Sequence, residues 1–225
     1  MSKLIGQALT TFVLGAIFLA LLLLLPAWTL DYWQAWVFIV VFMVCVSGVG
    51  IDLALHDPAL LERRKRVGPT NEQSLGQRIA ISIGFLAVLG IFVFSAVSHR
   101  FGWSPVPTWV SLVGDGLVAL GLFINVLVFR ANTFGGSTVQ TFENQKVIDT
   151  GPYALMRHPM YAGVLVMLAG VPLALDSWWG LGIVALSLPA LIWRILDEEN
   201  LLKRDLPGYE AYAQRVRYRL VPYLW

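Results

Sequence analysis

The sequence predicts an all-α polytopic integral membrane protein of about six transmembrane helices, ending in a helical hairpin and a cytoplasmic tail helix. Three observations predict it. Six apolar runs succeed one another along the 225 residues. Hydrophobic residues make up 57% and charged residues 13%, with a mean hydropathy of +0.70, a balance that excludes an ordinary soluble domain. If the runs cross the membrane alternately, fifteen of the sixteen Lys and Arg residues fall on one side, with Arg100 alone opposite, as the positive-inside rule requires. Both termini are then expected in the cytoplasm.

The first run, Leu4 to Leu25, reaches the roughly 20 residues that cross about 30 Å of hydrocarbon. It exceeds a signal-peptide h-region and no small-residue cleavage site follows, so it reads as the first anchor. Trp33 to Leu55 is the second run and holds Cys45, the only cysteine, which excludes an internal disulfide and a cysteine metal cluster. The polar stretch His56 to Gln77 follows. In it Asp57-Pro58 predicts the start of a short interfacial helix, since Asp caps an N-terminus and Pro suits the first helical position. The basic run Arg63 to Arg66 reads as a topology signal and is given no chemistry.

Ile79 to Val97 and Trp109 to Phe129 are the third and fourth runs. Asp52 and Asp115 lie near span ends, where headgroups or water are in reach; Asn125 is deeper and is expected to bond another helix. Trp28, Tyr32, Trp33 and Trp36, then Trp103 and Trp109, then Trp178 and Trp179 mark three turns at the outer interface. The last runs, Met160 to Leu175 and Trp178 to Ile195, are shorter and divided only by Asp176 and Ser177, which predicts a hairpin, tilted, kinked or partly shielded. Residues 1–130 are expected to be a transmembrane scaffold, and 131–225 a second region that the motifs below mark out. The net charge of +2 selects no partner; membrane lipids are expected around the chain and nucleic acid is not.

The second half carries the chemistry. Gly151-Pro152-Tyr153-Ala154-Leu155-Met156-Arg157-His158-Pro159-Met160-Tyr161-Ala162-Gly163 sets Arg, His and two Tyr at the mouth of a helix. Pro159 suits its first turn, and the positive end of the helix dipole lies beside His158. Arg157 and His158 would serve equally well as interfacial anchors. At the end of the returning helix, Arg194 and Glu198 are four apart and share a face; Arg194 sits at the edge of an apolar span, where an ionisable group is costly. Beyond Asp205-Leu206-Pro207-Gly208, a turn, Tyr209, Tyr212 and Val216 form a stripe at helical spacing, either a core or the cover of a pocket.

Gly151-Pro152-Tyr153, Arg157-His158-Pro159-Met160-Tyr161-Ala162-Gly163, Glu198-Glu199-Asn200-Leu201-Leu202 and Pro207-Gly208-Tyr209-Glu210-Ala211-Tyr212 occur in the order that resembles the isoprenylcysteine carboxyl methyltransferase family, related to the phospholipid methyltransferases. The resemblance spans about Thr138 to Pro222. It implies a site for S-adenosylmethionine enclosed by the last hairpin, the loop before it and the tail. Gln145, Lys146, Val147, Ile148, Tyr153, His158, Pro159, Met160, Tyr161 and Glu198 would contact the cofactor, and Arg194 would orient an acceptor's carboxylate, with Arg194, Glu198 and His158 as the catalytic group. A carboxylate acceptor needs no general base, whereas a thiol or a phospholipid amine would need His158 to take a proton. The Arg194-to-Glu198 spacing is the shorter one, without the charged insertion of some eukaryotic members, and a bacterial inner membrane is expected, with the endoplasmic reticulum as the alternative. Rival readings are a membrane reductase using NADPH, for which Lys146 and Arg157 are the candidate phosphate-binding cations, and a non-catalytic lipid-binding protein.

Overall fold

The computed structural model describes residues 2–65, 68–72, 74–136, 138 and 145–225; Arg66, the last of the basic run, lies outside them. Among the described residues there are eight α-helices and no strand: α1 (Ser2–Ala27), α2 (Trp33–His56), α3 (Pro58–Lys65), α4 (Leu75–Phe101), α5 (Thr108–Ala131), α6 (Pro159–Ala174), α7 (Gly180–Asp205) and α8 (Tyr209–Arg215). Five of them, α1, α2, α4, α5 and α7, are long and apolar enough to cross a membrane, and α6 is a shorter apolar helix. The chain is a multi-pass all-α membrane protein.

Apart from α6, the membrane helices outrun the apolar runs from which they were read. The returning arm of the hairpin is not short: α7 has 26 residues and carries Asp197, Glu198 and Glu199 on helical backbone. Leu, Glu, Lys and Arg are good helix formers, and Lys203 and Arg204 in the last turn complement the negative end of the dipole, so polarity does not stop the helix. The short helix after Asp57 forms as expected, with the Leu60 amide donating to Asp57 Oδ1 at 2.9 Å.

The chain divides into two compact units. One comprises Met1–Gly48, Val88–Leu120 and Val166–Ala185; the other comprises Val49–Ala87, Gly121–Leu165 and Leu186–Trp225. In the first, the three aromatic turns are tied by buried polar groups. Tyr32 stacks on His99 with ring centroids 3.8 Å apart and donates its hydroxyl to the Leu175 carbonyl at 2.6 Å. His99 Nδ1 lies 2.8 Å from Asp176 Oδ2, and Asp176 Oδ1 accepts the Val106 amide at 2.6 Å. Here α5 and α6 touch at backbone distance: a Cβ on Gly114 would lie 2.4 Å from the Ala174 nitrogen, and one on Gly170 would lie 2.5 Å from the Gly114 carbonyl. Gly170→Val is expected to lower stability by at least the ~1–3 kcal/mol typical of overpacking, read as a fall in the melting temperature of detergent-solubilised protein.

The second unit packs Leu53, Leu60, Val128 and Phe129 into one cluster and Leu206, Tyr209, Tyr212 and Val216 into another, so the tail stripe is a packed cluster, of which Tyr209 and Tyr212 also face a cavity. Asp52 pairs with Arg130 at 2.5 Å. Asn125 differs from expectation: its amide nitrogen bonds back to the Gly121 carbonyl of its own helix at 3.1 Å. The reason is local, because Gly163 of α6 brings its backbone so close that a Cβ there would lie 2.9 Å from the same carbonyl and 3.0 Å from Asn125 Nδ2, leaving no room for a partner between the helices.

Candidate active site

The site is built within the second unit, from the turn that opens α6, the far end of α7 and the tail. The turn is held by backbone: the Arg157 amide donates to the Tyr218 carbonyl at 2.9 Å and the His158 amide to the Arg219 carbonyl at 2.8 Å. Glu199, whose side chain is 2% exposed, gathers the cations around this junction. Its Oε1 accepts Arg157 Nε at 2.7 Å and lies 3.3 Å from His158 Nε2, while Oε2 accepts Arg219 Nε at 3.1 Å. Arg157 Nη1 donates further to the carbonyls of Val216, Ala213 and Arg217. Arg157 thus fastens the tail to the turn, a role that the sequence did not assign to it.

Glu198, one position earlier, points to different neighbours because successive helical residues are turned by about 100°. Its Oε2 accepts the Tyr161 hydroxyl at 2.7 Å, and that hydroxyl accepts Arg194 Nε at 3.1 Å. Arg194 and Glu198 share a face as their spacing predicts, but they communicate through Tyr161. The remaining donors of Arg194 meet residues that the sequence did not single out: Nη1 donates to Gln77 Oε1 at 2.9 Å and Nη2 to Glu72 Oε1 at 2.8 Å. Gln77 Nε2 in turn donates to Asp197 Oδ2 at 2.5 Å.

Between these elements lies a cavity of about 100 Å³, partly open to solvent. Gln145, Lys146, Val147, Ile148, Tyr153, His158, Met160, Tyr161 and Glu198 all line it, together with Asn132, Arg157, Leu202, Leu206, Tyr209 and Tyr212. Pro159 does not reach the wall, as its ring caps the first turn of α6. Arg194 stands behind Tyr161 rather than on the wall. Tyr209 and Tyr212 are lining residues whose stripe spacing was visible in the sequence but whose direction was not.

Two groups have an electrostatic character that matters. The Tyr209 hydroxyl is buried and has no hydrogen-bond partner among the described residues, and burial pushes its pKa up, so it stays a donor. Tyr153 is pushed up to about 12, burial being the larger cause, and its hydroxyl accepts Asn132 Nδ2 at 3.0 Å. Arg64, from the run read as a topology signal, is drawn inward: Nη1 donates to the Gly135 carbonyl at 2.9 Å, and the guanidinium lies 4.0 Å above the Phe129 ring. Burial lowers its pKa to about 10, which still leaves it charged at neutral pH.

Residues 109–206 match the family model described as phospholipid methyltransferase. Similar curated proteins include the nickel-cobalt-cadmium resistance protein NccN of Alcaligenes xylosoxydans xylosoxydans, 22% identical over 57% of this chain and 58% of its own. Protein-S-isoprenylcysteine O-methyltransferase B of Arabidopsis thaliana is 28% identical over 48% of this chain and 57% of its own. A Delta(14)-sterol reductase of Mus musculus is 26% identical over 68% of this chain and 32% of its own. The chain therefore spans between about a third and three fifths of the length of these relatives. The family-model match thus covers the α5 to α7 region, and isoprenylcysteine O-methyltransferases are among the proteins to which this chain is similar.

Proposed function

We propose that this protein is an S-adenosylmethionine-dependent membrane methyltransferase acting on a lipophilic acceptor, of the isoprenylcysteine carboxylate type. The observation that carries the reading is the convergence of Gln145 to Ile148, Tyr153, His158, Met160, Tyr161 and Glu198 on one cavity, with the unpartnered Tyr209 hydroxyl also on its wall. That donor set fits the cofactor: a buried hydroxyl in need of an acceptor, tyrosine rings that suit both an adenine plane and a sulfonium, and one carboxylate, Glu198.

When bound, S-adenosylmethionine supplies a methyl group on a sulfonium, whose positive charge disappears on transfer. The chain's task is to align the reactants and exclude water. The tail serves the second purpose: Tyr212 donates to the Tyr153 carbonyl at 2.8 Å, tying α8 across to the 151–154 turn. Glu198, which accepts the Tyr161 hydroxyl, would supply the cavity wall with a carboxylate to hold a cationic group of the cofactor. The polar cofactor enters from the cytoplasm, where both termini are placed by the positive-inside bias, and the acceptor arrives laterally from the lipid. A bacterial inner membrane fits this topology.

The mouse relative's name motivates the reductase alternative. The cations lining the cavity are Lys146 and Arg157, and Arg157 already serves Glu199 and three carbonyls, which leaves little positive charge for a dinucleotide's phosphates. The test is the melting temperature of detergent-purified protein with S-adenosylmethionine, S-adenosylhomocysteine or NADPH. Both adenosyl compounds are expected to stabilise it, by about 2.7 kcal/mol at a hundredfold excess over Kd, and Tyr209→Phe is expected to reduce the shift. A response to NADPH alone would overturn the reading.

A further inference from the structure

Glu72 comes from the segment between α3 and α4, outside the family-matched residues 109–206, yet its carboxylate sits on the guanidinium that the methyltransferase reading gives to the acceptor. The contact is 2.8 Å, and the side chain of Glu72 is 0% exposed against 10% for Arg194. A buried arginine left without a counterion is strongly destabilising, so some carboxylate must stand there in the resting protein. The pair is not remote from the cavity: Arg194 Nε holds the Tyr161 hydroxyl, and Tyr161 and Glu198 are wall residues.

We propose that Glu72 is an internal surrogate for the acceptor's carboxylate, occupying Arg194 until the acceptor's own carboxylate replaces it. This rests on the methyltransferase reading above. The exchange keeps Arg194 paired with one carboxylate before and after, and it requires the displaced Glu72 carboxylate to turn out to water. It also sets specificity. An intramolecular carboxylate acts at a high effective concentration, so a small soluble anion cannot displace it, whereas an acceptor whose apolar body is held by the protein or the membrane can. Glu72 is thereby a specificity-determining residue that selects lipophilic carboxylates over acetate-sized ones.

The experiment compares the full-length native protein with Glu72→Gln, using N-acetyl-S-farnesylcysteine and its methyl ester as probes in the presence of S-adenosylhomocysteine. In the native protein the acid is expected to bind and acetate not to compete. In Glu72→Gln the acid is expected to bind about tenfold tighter, because the competent state no longer has to be opened, while affinity for the ester is unchanged and acetate becomes a competitor. A shift common to acid and ester, or a loss of acid affinity, would overturn the proposal. Should Glu72→Gln not fold, Glu72→Asp, a carboxylate drawn back by one methylene, is expected to give a smaller tightening for the acid alone, and equal effects on both probes would again overturn it. Stabilisation by S-adenosylhomocysteine is the separate readout: its absence from the native protein would overturn the methyltransferase reading and this inference with it, whereas its presence without tightening of the acid would overturn the surrogate alone.

Discussion

Glu199→Ala is expected to be the most destabilising single substitution at the site, costing about 3–5 kcal/mol, because it leaves the buried Arg157 guanidinium without its carboxylate. Arg157 would keep a side chain that is 6% exposed, His158 one that is 4% exposed, and Arg219 would lose its tie to α7. The amides of Arg157 and His158 bond the carbonyls of Tyr218 and Arg219, so the loss should propagate along the tail. Thermal unfolding in detergent measures the stability, and trypsin cleavage after Arg215, Arg217 and Arg219 measures the release of the tail. Glu199→Gln keeps the shape and one acceptor and should cost less. An unchanged melting temperature with an uncleaved tail would refute the assignment of Glu199 as the cation-gathering residue.

Glu198→Ala is expected to do the opposite: leave the fold standing and remove the activity. Glu198 is half-buried on the cavity wall and receives one internal hydrogen bond, from Tyr161, so its truncation strands no buried charge at the tail junction. It does remove the only carboxylate lining the cavity among the described residues and frees the Tyr161 hydroxyl to turn. Methyl transfer is expected to fall by about 10²–10³-fold, the size of effect seen when one preorganised electrostatic group is deleted, with a parallel loss of affinity for S-adenosylhomocysteine. His158→Ala should weaken the same ligand. If both variants bind S-adenosylhomocysteine as tightly as the native protein, the cavity is not the cofactor site.

The unequal fate of these two neighbours shows what spacing alone can and cannot tell. From sequence, the spacing put Glu198 on one face with Arg194 and the family resemblance gave it a role at the cofactor, and the structure does place both on one face. It could not be read that Tyr161, from another helix, stands between them, nor that Glu199 collects Arg157, His158 and Arg219, since that depends on where the tail passes. The Asp57 cap, the hairpin turn at Asp176 and the Tyr209-Tyr212-Val216 stripe were legible because each is a local rule, one turn or a few residues long. The length of α7 was under-read because hydropathy stops at Ile195 whereas helix propensity does not.

By itself the sequence determined the class of the molecule: apolar length and the one-sided distribution of Lys and Arg specify a multi-pass helical protein, since in hydrocarbon a helix satisfies every backbone group internally. It also carried the resemblance to the methyltransferases, through motifs ordered along 151–212. Tertiary structure alone decided that Arg64, Glu72 and Gln77, from the polar stretch after α2, reach the same unit as the cavity and take up the donors of Arg194 and the carbonyl of Gly135. The physical reason is that charge on a loop is free to face water, lipid headgroups or the protein interior. No local pattern distinguishes these; for Glu72 it is the buried guanidinium of Arg194, more than a hundred residues away in the chain, that makes the inward choice favourable.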